Sequence, residues 1–317
     1  MLHPGRAGKC AVGGRQPGFS LLELLVALGI LLAVSGIIMS ALMQATLTQG
    51  TVSNRTEMHS SVRSATEVLQ QEIGQAGRVS LPGPVTLSGA VAITGTATGV
   101  VVSSAAGMFT GEQLVIDTGA NQETVALTNV ITSTNTITAV FYNIHASGVP
   151  VTVAGAFSSG IVPTSGAPAN FPNGSTGSVL KLYGDINGDG NMVYVEYTCD
   201  TTGGNLYRNV MPFTAATKPA VTSAQILLSN IQPNPGGAAC FSYQQKTVGA
   251  NTYVVDVSVT LTVQTQNPDP QTNQYQTETK ALLNVSPRNV FEAWQLASGG
   301  VTNRIQPMPA TVTGLLP

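Results

Sequence analysis

Charge is scarce in this chain. Of its 317 residues only 9% are charged and 5% aromatic, with one tryptophan, three cysteines and three histidines. So thin a supply of ionisable groups argues against a cytosolic enzyme, and the wealth of Gly, Ser, Thr, Ala and Val suits an exported, β-rich surface. There is no nucleophile elbow and no sequence cluster of His and Cys with metal-ligand spacing, so no catalytic constellation is offered. A net charge of −2 gives no electrostatic reason to hold nucleic acid. Lys and Arg are missing altogether from Val85 to Gly160, and past Met43 there is no proline until Pro82. The length still permits two or so compact units and a sizeable core.

One thing is present in abundance near the start. From Phe19 to Met43 the chain is an apolar run, interrupted by the single acid Glu23. At about 1.5 Å per helical residue it is long enough to cross a hydrocarbon core of about 30 Å. Arg6, Lys9 and Arg15 precede it with no acid among them, which keeps residues 1–18 cytoplasmic and sends the remainder across the membrane. An ordinary signal peptide has a shorter apolar core and is cut after it. Here a cut signal, if there is one, lies before the run. Without residues 1–18, thirteen less three leaves ten basic residues against fifteen acids, a net charge of −5.

Gly18-Phe19-Ser20-Leu21-Leu22-Glu23, followed by the unbroken apolar run, resembles the class III signal of type IV pilins and type II secretion pseudopilins. The resemblance implies that a prepilin peptidase cuts between Gly18 and Phe19 and methylates the new amino terminus. Glu23 then becomes the fifth mature residue, the position at which the family carries its acid. A carboxylate in an apolar helix costs about 2.5 to 3.5 kcal/mol unless it is partnered. The free amine of Phe19 on a neighbouring subunit is such a partner, which makes Glu23 the candidate assembly residue. The plainer alternative is a glutamate that snorkels to the interface of a simple single-span anchor.

Beyond the membrane segment (19–43) the helix should continue over 44–79. Met58, Val62, Ala65, Leu69, Ile73 and Ala76 recur at three- and four-residue steps along one face. Arg55, Glu57, Arg63, Glu67, Glu72 and Arg78 fall mostly off that stripe and are expected on a solvated face. Pro82 and Pro84 end the helix. Residues 85–160 read as a β-rich insert, a small barrel or sandwich with strands at Leu114–Ile116, Thr124–Val130, Thr136–Phe141 and Val149–Val153. Asp117-Thr118-Gly119-Ala120 resembles the signature of retroviral-type aspartic proteases, but it is also what a hairpin turn demands, and the turn is the reading adopted. His145 is expected in a loop. Residues 161–177 read as a linker.

Residues 178–290 supply a run of strands. Val255, Val257, Val259, Leu261 and Val263 alternate with polar residues, as in a strand buried on one face. Packing such strands on the helix stripe gives the pilin plan, an α+β fold in which a long N-terminal helix lies on an antiparallel sheet, here with the all-β insert. The helix end at Glu72–Arg78, Gly204-Asn205-Leu206-Tyr207-Arg208 and the late strand running into Pro287-Arg288-Asn289-Val290 are similar to minor pilins of the PilW and pseudopilin J type. Residues 291–317 are expected to form an irregular tail.

Asp185, Asn187, Asp189, Asn191 and Glu196 fall in a D-x-N-x-D-G-x₅-E arrangement that suits a hard cation such as calcium, or else a polar hairpin turn between two strands. Cys199 and Cys240 are either a disulfide of an exported domain or two buried thiols. The pilin resemblance implies other pilin or pseudopilin subunits, a prepilin peptidase, an inner-membrane platform protein and an assembly ATPase as partners. It also implies an inner-membrane protein with its C-terminal domain in the periplasm, then a fibre. The competing reading is a membrane-tethered adhesin or binding protein that joins no fibre.

Overall fold

The structure, a computed structural model, describes residues 18–166 and 171–317. The leader expected at 1–18, Gly18 excepted, and residues 167–170 of the expected linker lie outside the described residues. Helix α1 runs Leu21–Gln75 without a break, 55 residues or about 80 Å. It opens on Ser20, whose Oγ accepts from the Glu23 amide at 3.1 Å, and it stops where Ala76 turns extended and Gly77 takes φ +83°.

The insert follows the far end of α1. Its strands are β1 (Val85–Thr86), β2 (Thr98–Val101), β3 (Gln113–Ile116), β4 (Glu123–Ala126), β5 (Asn129–Ile131), β6 (Thr136–Ala139) and β7 (Pro150–Val153). They form two antiparallel sheets, ordered β1-β7-β3-β4 and β2-β6-β5. Leu87, Leu114, Ile116, Ile137 and Phe141 close a core drawn from the insert itself. The strand expected over Thr124–Val130 is divided between the two sheets. Leu127 leaves the ladder to exchange backbone hydrogen bonds with Glu112 (2.9 Å) and Gly111 (2.7 Å).

Gly77 and Gly160 explain how the insert can be spliced in. A Cβ on Gly160 would lie 2.1 Å from the Gly77 Cα, so the chain leaving α1 and the chain returning from the insert touch backbone to backbone. Between them β8 (Ala156–Phe157) returns the chain, with the Phe157 amide bonded to the Gly77 carbonyl. The expected linker is partly anchored rather than free, for Ile161 and Val162 are buried and Ile161 pairs with Leu182.

The C-terminal half builds two further sheets. One is ordered β12-β11-β10-β9, from β9 (Val179–Gly184), β10 (Val193–Asp200), β11 (Asn205–Pro212) and β12 (Ile226–Ser229). The other centres on β15 (Asn251–Gln264), flanked by β13 (Ile231–Gln232), β14 (Phe241–Val248) and β16 (Thr277–Val285). Between Ile226 and Gln232 the chain changes sheets, β12 lying in the first and β13 in the second. Asn230, in the left-handed region at φ +60°, makes the corner. The disulfide between Cys199 and Cys240 ties β10 to the start of β14, and so joins the two sheets.

The α1 stripe from Met58 to Ala76 packs against both sheets, with Leu180, Val195, Tyr197, Phe241 and Leu261 in one cluster. In β15 a bulge leaves Val255 without a partner, since Gln244 pairs with Asp256 and Gln245 with Val254. Val254, Val257, Val259, Leu261 and Val263 therefore face α1, while Tyr253 and Val255 face the other way.

That second face corrects the expected irregular tail. Residues 288–317 form α2 (Arg288–Ser298), β17 (Ile305–Gln306) and α3 (Ala310–Leu315). Val290 and Ala293 of α2 pack on Tyr253 and Val255, β17 adds in parallel to β8, and Val312 and Leu315 of α3 join Phe109, Phe157, Tyr183 and Tyr194. The tail is order bought by apolar side chains that the bulged strand and the insert leave uncovered.

Candidate assembly site

The N-terminal motif occupies the first turn of α1. Phe19 is 86% exposed, and every residue from Gly18 to Thr46 is exposed. Among these described residues the chain itself covers nothing of the apolar run. The carboxylate of Glu23 sits in the first helical turn, where the helix dipole favours an anion. The Ser20 cap with Glu23 three residues on is a sequence-visible S-x-x-E pattern that the reading by resemblance passed over.

The grip of the domain on α1 begins just outside the apolar run. Thr51 Oγ1 donates to Asp269 Oδ1 at 2.7 Å, and Gln271 Nε2 donates to Thr48 Oγ1 at 3.0 Å. Asn54 donates to the Pro268 carbonyl at 3.3 Å. Asp269 also accepts from the Gln271 amide (2.9 Å) and Gln276 Nε2 (2.7 Å); these bonds, that from Thr51 foremost, hold its carboxyl below the usual range. Gly50 makes the clasp fit, because a Cβ there would meet Pro270 Cγ at 2.9 Å. The loop joining β15 to β16 thus marks where the free part of the helix ends.

Further along α1, Glu72 is buried, which corrects its assignment to a solvated face. Arg208 Nε donates to its two oxygens at 3.0 and 3.1 Å, with a further bond from Arg208 Nη2, and the Tyr197 hydroxyl donates to it as well. Burial foremost, with the charge of Glu72 behind it, pushes the Tyr197 phenol up. Burial works against the charge of Arg208, but its bonds to Glu72 prevail and hold it above its ordinary value. His59 of α1 lies 2.6 Å from Glu278 of β16.

The five residues of the cation-type loop are not gathered at one point. Asp185 is buried, and its carboxylate accepts from the amides of Asp189 (3.0 Å) and Gly190 (3.3 Å), with Arg78 Nε 3.5 Å away. Asp189 accepts from the Asn191 amide at 2.8 Å. Asn187 lies in the same exposed turn. Glu196 is three residues along β10 from Val193, the partner of Gly184, roughly 10 Å of strand away. Its carboxylate meets Lys218 Nζ at 2.7 Å, Lys181 Nζ at 3.7 Å and the Tyr194 hydroxyl at 2.9 Å. Burial lowers the Lys181 ammonium despite Glu196, and Lys181 Nζ also donates to the carbonyls of Asn173 (2.9 Å) and Leu316 (2.5 Å), pinning the chain end.

Asp117 stands at the turn after β3 with φ +68°. His145, expected in a plain loop, is fully buried between Asp117 and Glu123. Nothing in its sequence neighbourhood announces those partners.

With the exposed apolar helix and its single acid in place, the comparison with known families is direct. The prokaryotic N-terminal methylation motif is matched at residues 14–39. The match supports a type IV pilin-like protein. The matched stretch spans the expected processing point, Glu23 and most of the exposed apolar run, and the α+β architecture behind it is consistent with a pilin-like fold. No curated protein matches the chain. The pilin-like helix is apolar and long enough to cross a membrane.

Proposed function

We propose that this pilin-like protein is a minor pilin or pseudopilin, a non-catalytic subunit cut after Gly18 by a prepilin peptidase and N-methylated on Phe19. It is then assembled through α1 into a type IV pilus or a type II secretion pseudopilus. The observation that carries the reading is the methylation motif heading a helix whose first half is apolar and wholly exposed while its second half is built into a folded domain. Glu23 neutralises the Phe19 amine of an adjacent subunit and sets axial register. An inner-membrane platform and an assembly ATPase act on it, with the C-terminal domain on the periplasmic side. The insert follows the membrane-distal end of α1, which favours a place at the tip or in priming, where that domain stays uncovered.

Mass spectrometry of the mature protein is the test. A terminus at methyl-Phe19 is the expected result. An intact Met1 terminus would leave the alternative, a membrane-tethered adhesin outside any fibre.

A further inference from the structure

The insert has hardly any charge, and nearly all of it is spent in one place. Between Val85 and Gly160 the acids are Glu112, Asp117 and Glu123, there is no Lys or Arg, and His145 is the one imidazole. Glu112 is buried elsewhere in the domain. The other three meet. His145 Nε2 lies 2.6 Å from Glu123 Oε1, and His145 Nδ1 lies 3.3 Å from Asp117 Oδ2. The imidazole side chain is wholly buried, with the Phe141 ring edge-on to it at 6.0 Å. Among the described residues no other titratable side chain bonds to it.

The remaining bonds of the two acids decide who carries the proton. Glu123 accepts from the amides of Tyr142 (2.9 Å to Oε2) and Asn143 (3.1 Å to Oε1) as well as from His145. Asp117 Oδ1 accepts from the Thr118 amide at 2.7 Å, and that bond foremost holds the Asp117 carboxyl below its usual range. Asp117 is therefore a carboxylate, and Glu123, which accepts an amide N–H on each of its two oxygens, is bonded as one. A neutral imidazole has one N–H and can donate to one of them; facing both, the ring must donate from both nitrogens.

We propose that Asp117, His145 and Glu123 form a proton-held lock, an imidazolium clamped between two carboxylates, that fixes the segment from Phe141 to His145 in a single conformation. The amides of Tyr142 and Asn143 turn inward to Glu123, while the side chains of Tyr142 and Ile144 turn outward, 69% and 62% exposed. Exposed apolar side chains on a surface loop are ordinarily mobile. Here a buried ion cluster holds them from beneath. Loss of the ring proton removes one bond, leaves a carboxylate facing a lone pair, and frees the loop.

The test uses the full chain in detergent micelles with ¹⁵N-labelled histidine, His145 being told from His3 and His59 by His3→Gln and His59→Gln variants. At pH 7 both His145 ring nitrogens are expected to carry protons, and the Tyr142 and Asn143 amides to exchange slowly. As the pH is raised, ring deprotonation and loss of amide protection, corrected for intrinsic exchange, should coincide. In His145→Gln, chymotrypsin should cut after Tyr142 at least tenfold faster than in the parent. A ring with a single N–H at pH 7 would overturn the lock, and that measurement needs no variant to fold. Cleavage in His145→Gln at the parental rate would overturn it equally.

Discussion

Two glutamates ride on the same helix and meet opposite surroundings. Glu72, in the half of α1 that packs on the sheets, is buried with Arg208 and Tyr197 supplying its hydrogen bonds from one chain. Glu23, in the half that packs on nothing here, is exposed among Phe19, Leu21, Leu22 and Leu24, all exposed as well. The helix backbone is alike in both halves, and so is the carboxylate. The distal half presents a narrow stripe that the sheets cover; the proximal half is apolar on every side, which makes lipid or other helices its natural solvent. An acid met by partners in its own chain serves the fold, whereas one left without them is available to a neighbour.

The largest expected effect comes from breaking the satisfied member. Arg208→Ala leaves the Glu72 carboxylate buried without its cation and should destabilise the domain by about 3 kcal/mol, the low end for such a loss because Arg208 is partly exposed. Chemical denaturation of the full chain in micelles checks it, and a loss within experimental error would mean that Glu72 is solvated after all.

Next comes the boundary between the two halves. Gly50→Leu cannot be accommodated against Pro270, so the loop carrying Asp269 should lift from α1 and lose the bonds to Thr48, Thr51 and Asn54. Hydrogen exchange between residues 48 and 57 should quicken about tenfold or more while the sheets keep their protection. If exchange there does not change, the free part of the helix does not end at this clasp.

A third glutamate sharpens the comparison. Glu112 is buried in the insert, accepts one bond from the Phe109 amide at 3.2 Å, and has an oxygen with no partner; burial pushes its carboxyl up to about 8. The folded chain thus holds a proton that the unfolded chain gives up near pH 4.5. The stability linked to this group is complete below that pH and is lost as the pH rises through about 8. Glu112→Gln should therefore raise the melting temperature at pH 8.5 relative to the parent and do little at pH 5. Equal shifts at both values would show that Glu112 is not the titrating group.

The smallest effect on the fold is expected at Glu23. Glu23→Ala touches no domain contact, so the melting transition should be unchanged, as should cleavage and membrane insertion, whereas incorporation into the fibre should fall. Unchanged incorporation, measured by fractionating sheared fibres, would remove the register role.

Much of this was legible in the chain itself. The apolar run, the motif at Gly18, the stripe from Met58 to Ala76 and the alternation in β15 are local patterns, set by side-chain spacing against a 3.6- or 2-residue repeat. They suffice for an α+β chain with a membrane-length helix at its head. What depended on distant partners was not legible: Glu72 looks like any solvated acid until Arg208 is placed beside it, and His145 looks like a loop residue until a hairpin brings Asp117 and Glu123 to its two nitrogens. The tail from Arg288 onward forms helices because the bulge at Val255 exposes an apolar face for it to cover. The change of sheet at Asn230 and the backbone crossing of Gly77 and Gly160 are likewise decisions of the tertiary structure. Periodicity records which way a side chain points, whereas burial of charge and the pairing of strands are settled only when remote segments meet.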